Sequence, residues 1–151
     1  MNSWLFQGNP KNYQVRAALH HFKSTSQTTT WLVNAHSKEI LEGDEVYFWE
    51  AGPMAGLVGW GTVVTDPLMV GLERGEELFV VTKAKFDGLR LRVRIRVEGE
   101  CYCPRSELKG QPPFSNWYPV ARGQEGTNFR IPADVLPELQ RIAREGHSPL
   151  P

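Results

Sequence analysis

Between Gly43 and Val64 the chain reads GDEVYFWEAGPMAGLVGWGTVV, two apolar runs separated by a loop that carries Gly52, Pro53 and Gly56. Glu45–Trp49 and Leu57–Val64 have the length and the aromatic and β-branched content of strands, and the residues between them favour a turn, so a β-hairpin is predicted. Trp60, inside the second strand between two glycines, is expected to pack in a core. Trp49 closes the first strand next to an acidic residue, a place from which a ring can project into a cleft instead.

A second feature lies downstream. In GLRLRVRIRVE (88–98) arginine alternates with an apolar residue, which puts Arg90, Arg92, Arg94 and Arg96 on one face of a strand and Leu91, Val93, Ile95 and Val97 on the other. Successive guanidiniums on such a face stand about 6.7 Å apart, close to the spacing of phosphates along a nucleic-acid strand. The competing reading is a solvated sheet face whose arginines pair with Glu98, Glu100 or acids of a neighbouring strand.

The remaining elements follow from shorter signals. Ser3–Phe6 reads as a first strand, ended by the turn Gln7-Gly8-Asn9-Pro10. Val15, Ala18, Leu19 and Phe22 fall at helical spacing, so a helix is predicted over Tyr13–Phe22 with Asn12 as its cap. Trp31–Asn34 and Leu78–Lys83 read as strands, and Leu68–Glu77 has no assignable structure. The prolines of 104–119 predict an irregular stretch holding Trp117 and Tyr118, where Trp117 is either a further wall of a pocket or, the favoured reading, a plug for the end of a barrel. A short strand ends the segment Arg122–Ile131, and a last helix over Val135–Arg144 has Asp134 before it, Pro137 in its first turn and Gly146 as its stop. Many short strands between two helices make an α+β chain, a small barrel or sandwich with helices at its margin.

Composition narrows the function classes. The 151 residues suit one domain, and 40% hydrophobic with 23% charged residues is ordinary for a soluble protein. No apolar run approaches the roughly 18 residues that cross a bilayer, and MNSWLFQGNP lacks the basic lead of a signal peptide, so a cytoplasmic location and no membrane partner are expected. Net charge is zero, so a polyanion partner cannot be read from the overall balance. Cys101 and Cys103 would share a strand face at poor disulfide spacing and are expected as buried or semi-buried free thiols. Four scattered histidines and two cysteines make no metal pattern, and neither a metal nor another cofactor is expected.

Several pieces in order, WLFQGNPKNY (4–13), WLVN (31–34), GDEVYFWEAG (43–52), GLVGWGTVV (56–64) and RGQEGTNFRI (122–131), resemble an EVE domain, a member of the PUA-like superfamily similar to YTH domains. The resemblance spans about Ser3 to Ala143. It implies a PUA-like β-barrel of five to six strands with flanking helices, and a pocket that binds a modified nucleobase, methylated cytosine or adenine, from DNA or RNA without catalysis. Such a pocket needs aromatic faces, because stacking returns about 1–3 kcal/mol per base, and polar groups for the base edge. Trp31 and Trp49 match the aromatic positions, Asn9, Asn34 and Gln124 supply amides for the edge, and Arg122 stands at the mouth as a phosphate ligand beside the arginine face. A core role for the two tryptophans and turn roles for the two asparagines are the alternatives. Glu50 beside Trp49 would repel phosphate.

A separate nuclease or other effector is a further partner that the resemblance allows. An enzyme reading needs more than the sequence shows: Asp44, Glu45 and Glu50 are close only along the chain. An amidohydrolase of the related ASCH type would need a lysine set with a carboxylate or threonine in the slot, and Lys11 and Lys38 have no evident partner. The third reading is an interaction module that binds RNA or protein with its slot empty.

Overall fold

The computed structural model describes residues 1–123 and 125–145. Its strands are β1 Ser3–Gly8, β2 Thr29–Leu32, β3 Glu45–Glu50, β4 Gly56–Val63, β5 Leu68–Val70, β6 Arg90–Pro104 and β7 Asn128–Arg130; its helices are α1 Val15–Thr25, α2 Arg105–Lys109, α3 Tyr118–Ala121 and α4 Leu136–Glu145. The strands form one curled mixed sheet in the order β2-β6-β4-β3-β1-β7, with β5 also paired to β6. Among the described residues only β1 and β3 run parallel; every other strand pairing is antiparallel.

The predicted hairpin is β3–β4, and its first strand shows why the region is so apolar. Along β3, Val46 and Phe48 enter one core while Tyr47 and Trp49 enter another on the opposite face, the period-2 alternation of a strand hidden on both sides. The first core is closed by Val15, Ala18, Leu19 and Phe22 of α1, the second by α2, α3 and α4 through Leu108, Val120, Leu139 and Ile142.

The long strand β6 serves both cores because a register shift reverses its faces. Gly61 pairs with Val97 but Trp60 pairs with Gly99, so one extra residue enters β6 there. Before it Val93, Ile95 and Val97 face the first core; beyond it Cys101 and Cys103 face the second. The Trp60 ring lies directly on Gly99, where a Cβ would come within 2.1 Å of it, so only glycine fits. Both cysteines are buried and free, and burial pushes each thiol up to about 12.

Side chains close what the ladders leave open. The buried Asp44 carboxylate accepts hydrogen bonds from the Asn2 N–H, the Trp4 indole N–H and the Leu41 N–H at 2.9–3.0 Å, which ties β1 to the turn before β3. Asn128 on the edge strand β7 reaches the chain leaving the other edge strand, β2: its Oδ1 accepts from the Asn34 and Ala35 N–H groups and its Nδ2 donates to the Leu32 carbonyl. One buried amide thus brings the two ends of the sheet together, and the result is a half-barrel.

Three expectations are corrected. Leu78–Lys83 is not a strand: it falls in two 3₁₀ turns, Glu76–Phe79 and Lys83–Lys85, and the intervening residues. Leu78 is 68% exposed, since Glu76 is drawn inward by hydrogen bonds and turns this segment outward. The connector before it supplies β5 instead. The proline-rich stretch is more regular than its composition suggests, because Pro119 sits in the first turn of α3, where no N–H is needed, and Phe114, Trp117 and Leu108 anchor it in the second core. Finally, α1 is preceded by Gln14 at the cap position, not Asn12; the Asn12 carbonyl instead accepts from the Val81 and Thr82 N–H groups. The expected stop at Gly146 lies outside the described residues.

Candidate functional site

A cavity of about 780 Å³ opens where the end of β1, the end of β2 and the start of β6 meet the 76–86 turns, Gly123 and residues 125–127. Its volume is that of a small-molecule site, about 300–1,000 Å³. Trp31 lines it, 8% exposed, and is backed by Phe6 and Phe48 with ring centroids 6.4 and 5.1 Å away. Gly8 passes beneath this ring: a Cβ there would stand 2.6 Å from Val15 Cγ2 and 3.1 Å from Trp31 Cζ2, so the indole keeps its place only because residue 8 has no side chain. Tyr13 and Phe86, 5.3 Å apart between centroids, add two more rings to the lining.

The polar side of the cavity is built on a buried carboxylate. Glu76 Oε1 accepts from the Thr30 N–H, the Thr30 hydroxyl at 2.7 Å and the Glu73 N–H, while Oε2 accepts from the Thr29 hydroxyl. Burial nevertheless holds its pKa above the ordinary carboxylate value, the four hydrogen bonds working against that rise. Close by, burial lowers the pKa of the Arg92 guanidinium and the Glu76 charge opposes it. The Tyr13 phenol is pushed well above its usual range, first by burial and then by Glu76.

The arginine face therefore has four different fates. Its alternation is real, but the 73–87 segment folds over it. Arg90 donates to the carbonyls of Asp87 and Ala84, Arg94 pairs with Glu73, and Arg92 is 2% exposed against the cavity. Arg96 alone stands exposed. A continuous row of guanidiniums facing solvent is not what the fold makes, because sequence alternation assigns a face without saying what covers it.

Of the residues expected in an aromatic slot, Trp31, Asn9 and Asn34 meet at the cavity. Trp49 does not: it is 1% exposed in the second core, on the far face of the sheet, among Leu5, Leu57 and Cys103. Its strand parity sends it there with Tyr47. Gln124 lies outside the described residues. The Asn9 Oδ1 accepts from the Lys11 N–H, a turn role, and the Asn34 Nδ2 donates to Thr127 Oγ1. Arg122 is exposed, with its guanidinium 5.4 Å from the Tyr118 ring, next to the lining residue Gly123.

The acids near the hairpin are committed elsewhere. Glu50 is buried against Arg16 at 2.9 Å, so its charge is compensated, and Glu45 accepts from Tyr47, Gln140 and Arg144. The lysine at the cavity is Lys85, not Lys11 or Lys38. Tyr13, Glu76, Lys85 and Phe86 are site residues that sequence reasoning misses; Glu76 lies in the charged run ERGEE (73–77), which gives no sign that one of its acids is buried.

A curled mixed sheet with α1 on one face, three helices on the other and a cavity at the strand ends is a fold shared with solved DUF55 and YTH domains. Similar solved structures are human THYN1 in complex with 5-methylcytosine-containing DNA (TM-score 0.67, 14% identity, covering 99% of this chain and 100% of that one), Rpa0253 from Rhodopseudomonas palustris (0.66, 10%, covering 95% and 93%) and the Mmi1 YTH domain (0.53, 18%, covering 95% and 76%). At these identities the likeness is one of fold. No family model and no curated protein sequence matches the chain. Among the described residues no helix is long and apolar enough to cross a membrane.

Proposed function

We propose that the cavity receives a single modified nucleobase turned out of a DNA or RNA strand and binds it without altering it. The observation that carries this reading is a cavity of ligand size lined by an indole, by amide side chains and by a buried guanidinium. Turning a base out costs a few kcal/mol, and one good stacking surface offsets about 1–3 kcal/mol of it. Trp31, held from behind by Phe6 and Phe48, supplies that surface at little entropic cost because its rotamer is fixed by packing. Asn9 and Asn34 border the same space and offer donors and acceptors. Lys85, which lines the cavity, and the exposed Arg122, next in sequence to the lining residue Gly123, are the cations assigned to the phosphates of the strand. Human THYN1 in its complex with 5-methylcytosine-containing DNA supports a modified base as the ligand.

A second reading rests on a specific contact. The Thr30 hydroxyl donates to the Glu76 carboxylate at 2.7 Å beside a cavity that Lys85 also borders, the grouping that an amidohydrolase acting on a modified base would use. Binding is favoured over turnover because Glu76 Oε1 already accepts two backbone N–H groups as well as the Thr30 hydroxyl, which commits that oxygen to holding β2 against the 73–76 turn. The test is a binding screen of oligonucleotides that differ in one modified base, with product analysis of each after incubation. Binding that selects one modification and returns it intact supports the reader. Conversion of the base supports the enzyme, and indifference to every modification refutes both.

A further inference from the structure

The turn between β3 and β4 reads Ala51-Gly52-Pro53-Met54-Ala55-Gly56, without one polar side chain. Turns at a protein surface ordinarily draw on Asn, Asp and Ser, and a run of apolar residues in water is kept where it has a use. Gly52, Pro53 and Met54 are exposed, Met54 by 47%. The backbone of this turn is nevertheless fixed. The Met54 carbonyl accepts from Arg16 Nη2 at 2.9 Å and from the Tyr102 hydroxyl at 3.2 Å, and the guanidinium itself is held by Glu50 and by the Tyr102 ring, 4.1 Å away. The Ala55 N–H donates to the Gly52 carbonyl, and the Ala55 carbonyl accepts from the Arg105 N–H. Groups from α1, β6 and α2 thus hold the Met54 backbone in one position with its side chain outward, and a preorganised group loses little entropy when it binds.

The turn adjoins the cavity. Ala51 lines it, and the Ala51 N–H donates to the carbonyl of another lining residue, Gly8, at 2.9 Å. Gly52, with φ +91°, lies against Pro10, the neighbour of the lining residue Asn9: a Cβ on Gly52 would stand 3.4 Å from Pro10 Cγ. A base turned out of a DNA duplex leaves behind it a slot walled by the flat faces of the neighbouring base pairs, and apolar side chains such as Met, Pro and Leu insert between base steps in this way. Met is unbranched and adapts to an irregular gap. A charged or amide side chain in its place would have to leave its water.

We propose that Met54 is a wedge: while the cavity holds the extruded base, Met54 enters the base stack at the place that base has left, and the nucleic acid engaged is a DNA duplex. The wedge offsets part of the stacking lost on extrusion, which a single strand has much less of to lose. This inference rests on the base-binding reading above and adds the form of nucleic acid that the site engages.

The test uses the whole chain and oligonucleotides with one central 5-methylcytosine or N6-methyladenine, each as DNA duplex, DNA single strand and RNA single strand, against the same probes unmodified. Met54→Gln keeps the length of the side chain but not its apolar surface, and Met54→Leu keeps the apolar surface; both sit at an exposed position where the fold tolerates them. Met54→Gln should weaken binding to the modified duplex by about 5- to 30-fold, the range for one apolar side chain that fails to be buried. The single strands should change by less than about twofold, and Met54→Leu should stay within about threefold of the parent on every probe. Equal losses on duplex and single strand, no loss on the duplex, or binding of single strands without binding of the duplex overturns this inference and leaves base binding standing. Unchanged duplex binding together with a self-association that Met54→Gln abolishes, read by sedimentation, overturns it in favour of a second copy of the chain at the turn. Failure of every modified probe to bind better than its unmodified counterpart overturns the base-binding reading and this inference with it.

Discussion

Trp31 and Trp49 are two buried tryptophans on opposite faces of one sheet, and replacing each by phenylalanine separates packing from binding. Indole to phenyl removes roughly 40–50 Å² of apolar surface, worth about 1 kcal/mol at about 25 cal/mol per Å², and the void it leaves raises the cost to about 1–2 kcal/mol. With 8% and 1% of their surface exposed, the two residues should lose similar amounts of stability. Only Trp31 borders the cavity. Trp31→Phe gives up part of a stack worth about 1–3 kcal/mol, a loss of about three- to tenfold in affinity, whereas Trp49→Phe should change affinity less than about twofold. Alanine is the poorer probe: Trp31 packs on Phe6 and Phe48, and Trp→Ala at such a site costs about 3–5 kcal/mol, a large share of a domain's stability. Urea unfolding followed by circular dichroism gives the first quantity, and fluorescence anisotropy with the oligonucleotide selected by the screen gives the second. Equal loss of affinity in both variants, or loss of stability without loss of affinity in Trp31→Phe, would refute the placement of the base on Trp31.

Asn128→Ala should lower stability by about 2–4 kcal/mol, because it leaves two N–H groups and a carbonyl without the amide that joins the sheet edges; a change under about 0.5 kcal/mol in urea unfolding would show that water replaces it. Glu76 has a folded pKa raised above its ordinary value, so folding favours its protonated form and its contribution to stability declines as pH rises from the ordinary carboxylate value through the raised one. Glu76→Gln should lack that decline, and parallel stability–pH curves for the two proteins between about pH 4 and 8 would contradict it. Cys101 and Cys103, with thiols near 12, should resist alkylation in the native protein at mildly alkaline pH and react once it is unfolded; rapid native labelling would place them outside the core.

Much of the fold is legible in the chain because the signals are local. The alternation of β3, the glycines and proline of its turn and the helical spacing of Val15, Ala18, Leu19 and Phe22 each depend on neighbours a few residues away, and each element forms near its expected limits. Strand parity even separates Trp49 from Phe48. What parity cannot say is which face holds a cavity and which a core, since that depends on where α1 and the three later helices come to rest. The arginine run shows the same limit: one face was legible, its burial was not, because Arg92 is covered by a segment whose own position is set by Glu76 reaching Thr29 and Thr30, 46–47 residues away. A buried carboxylate must satisfy its oxygens wherever the fold offers donors, so the pairing that shapes this site exists only after the chain has folded.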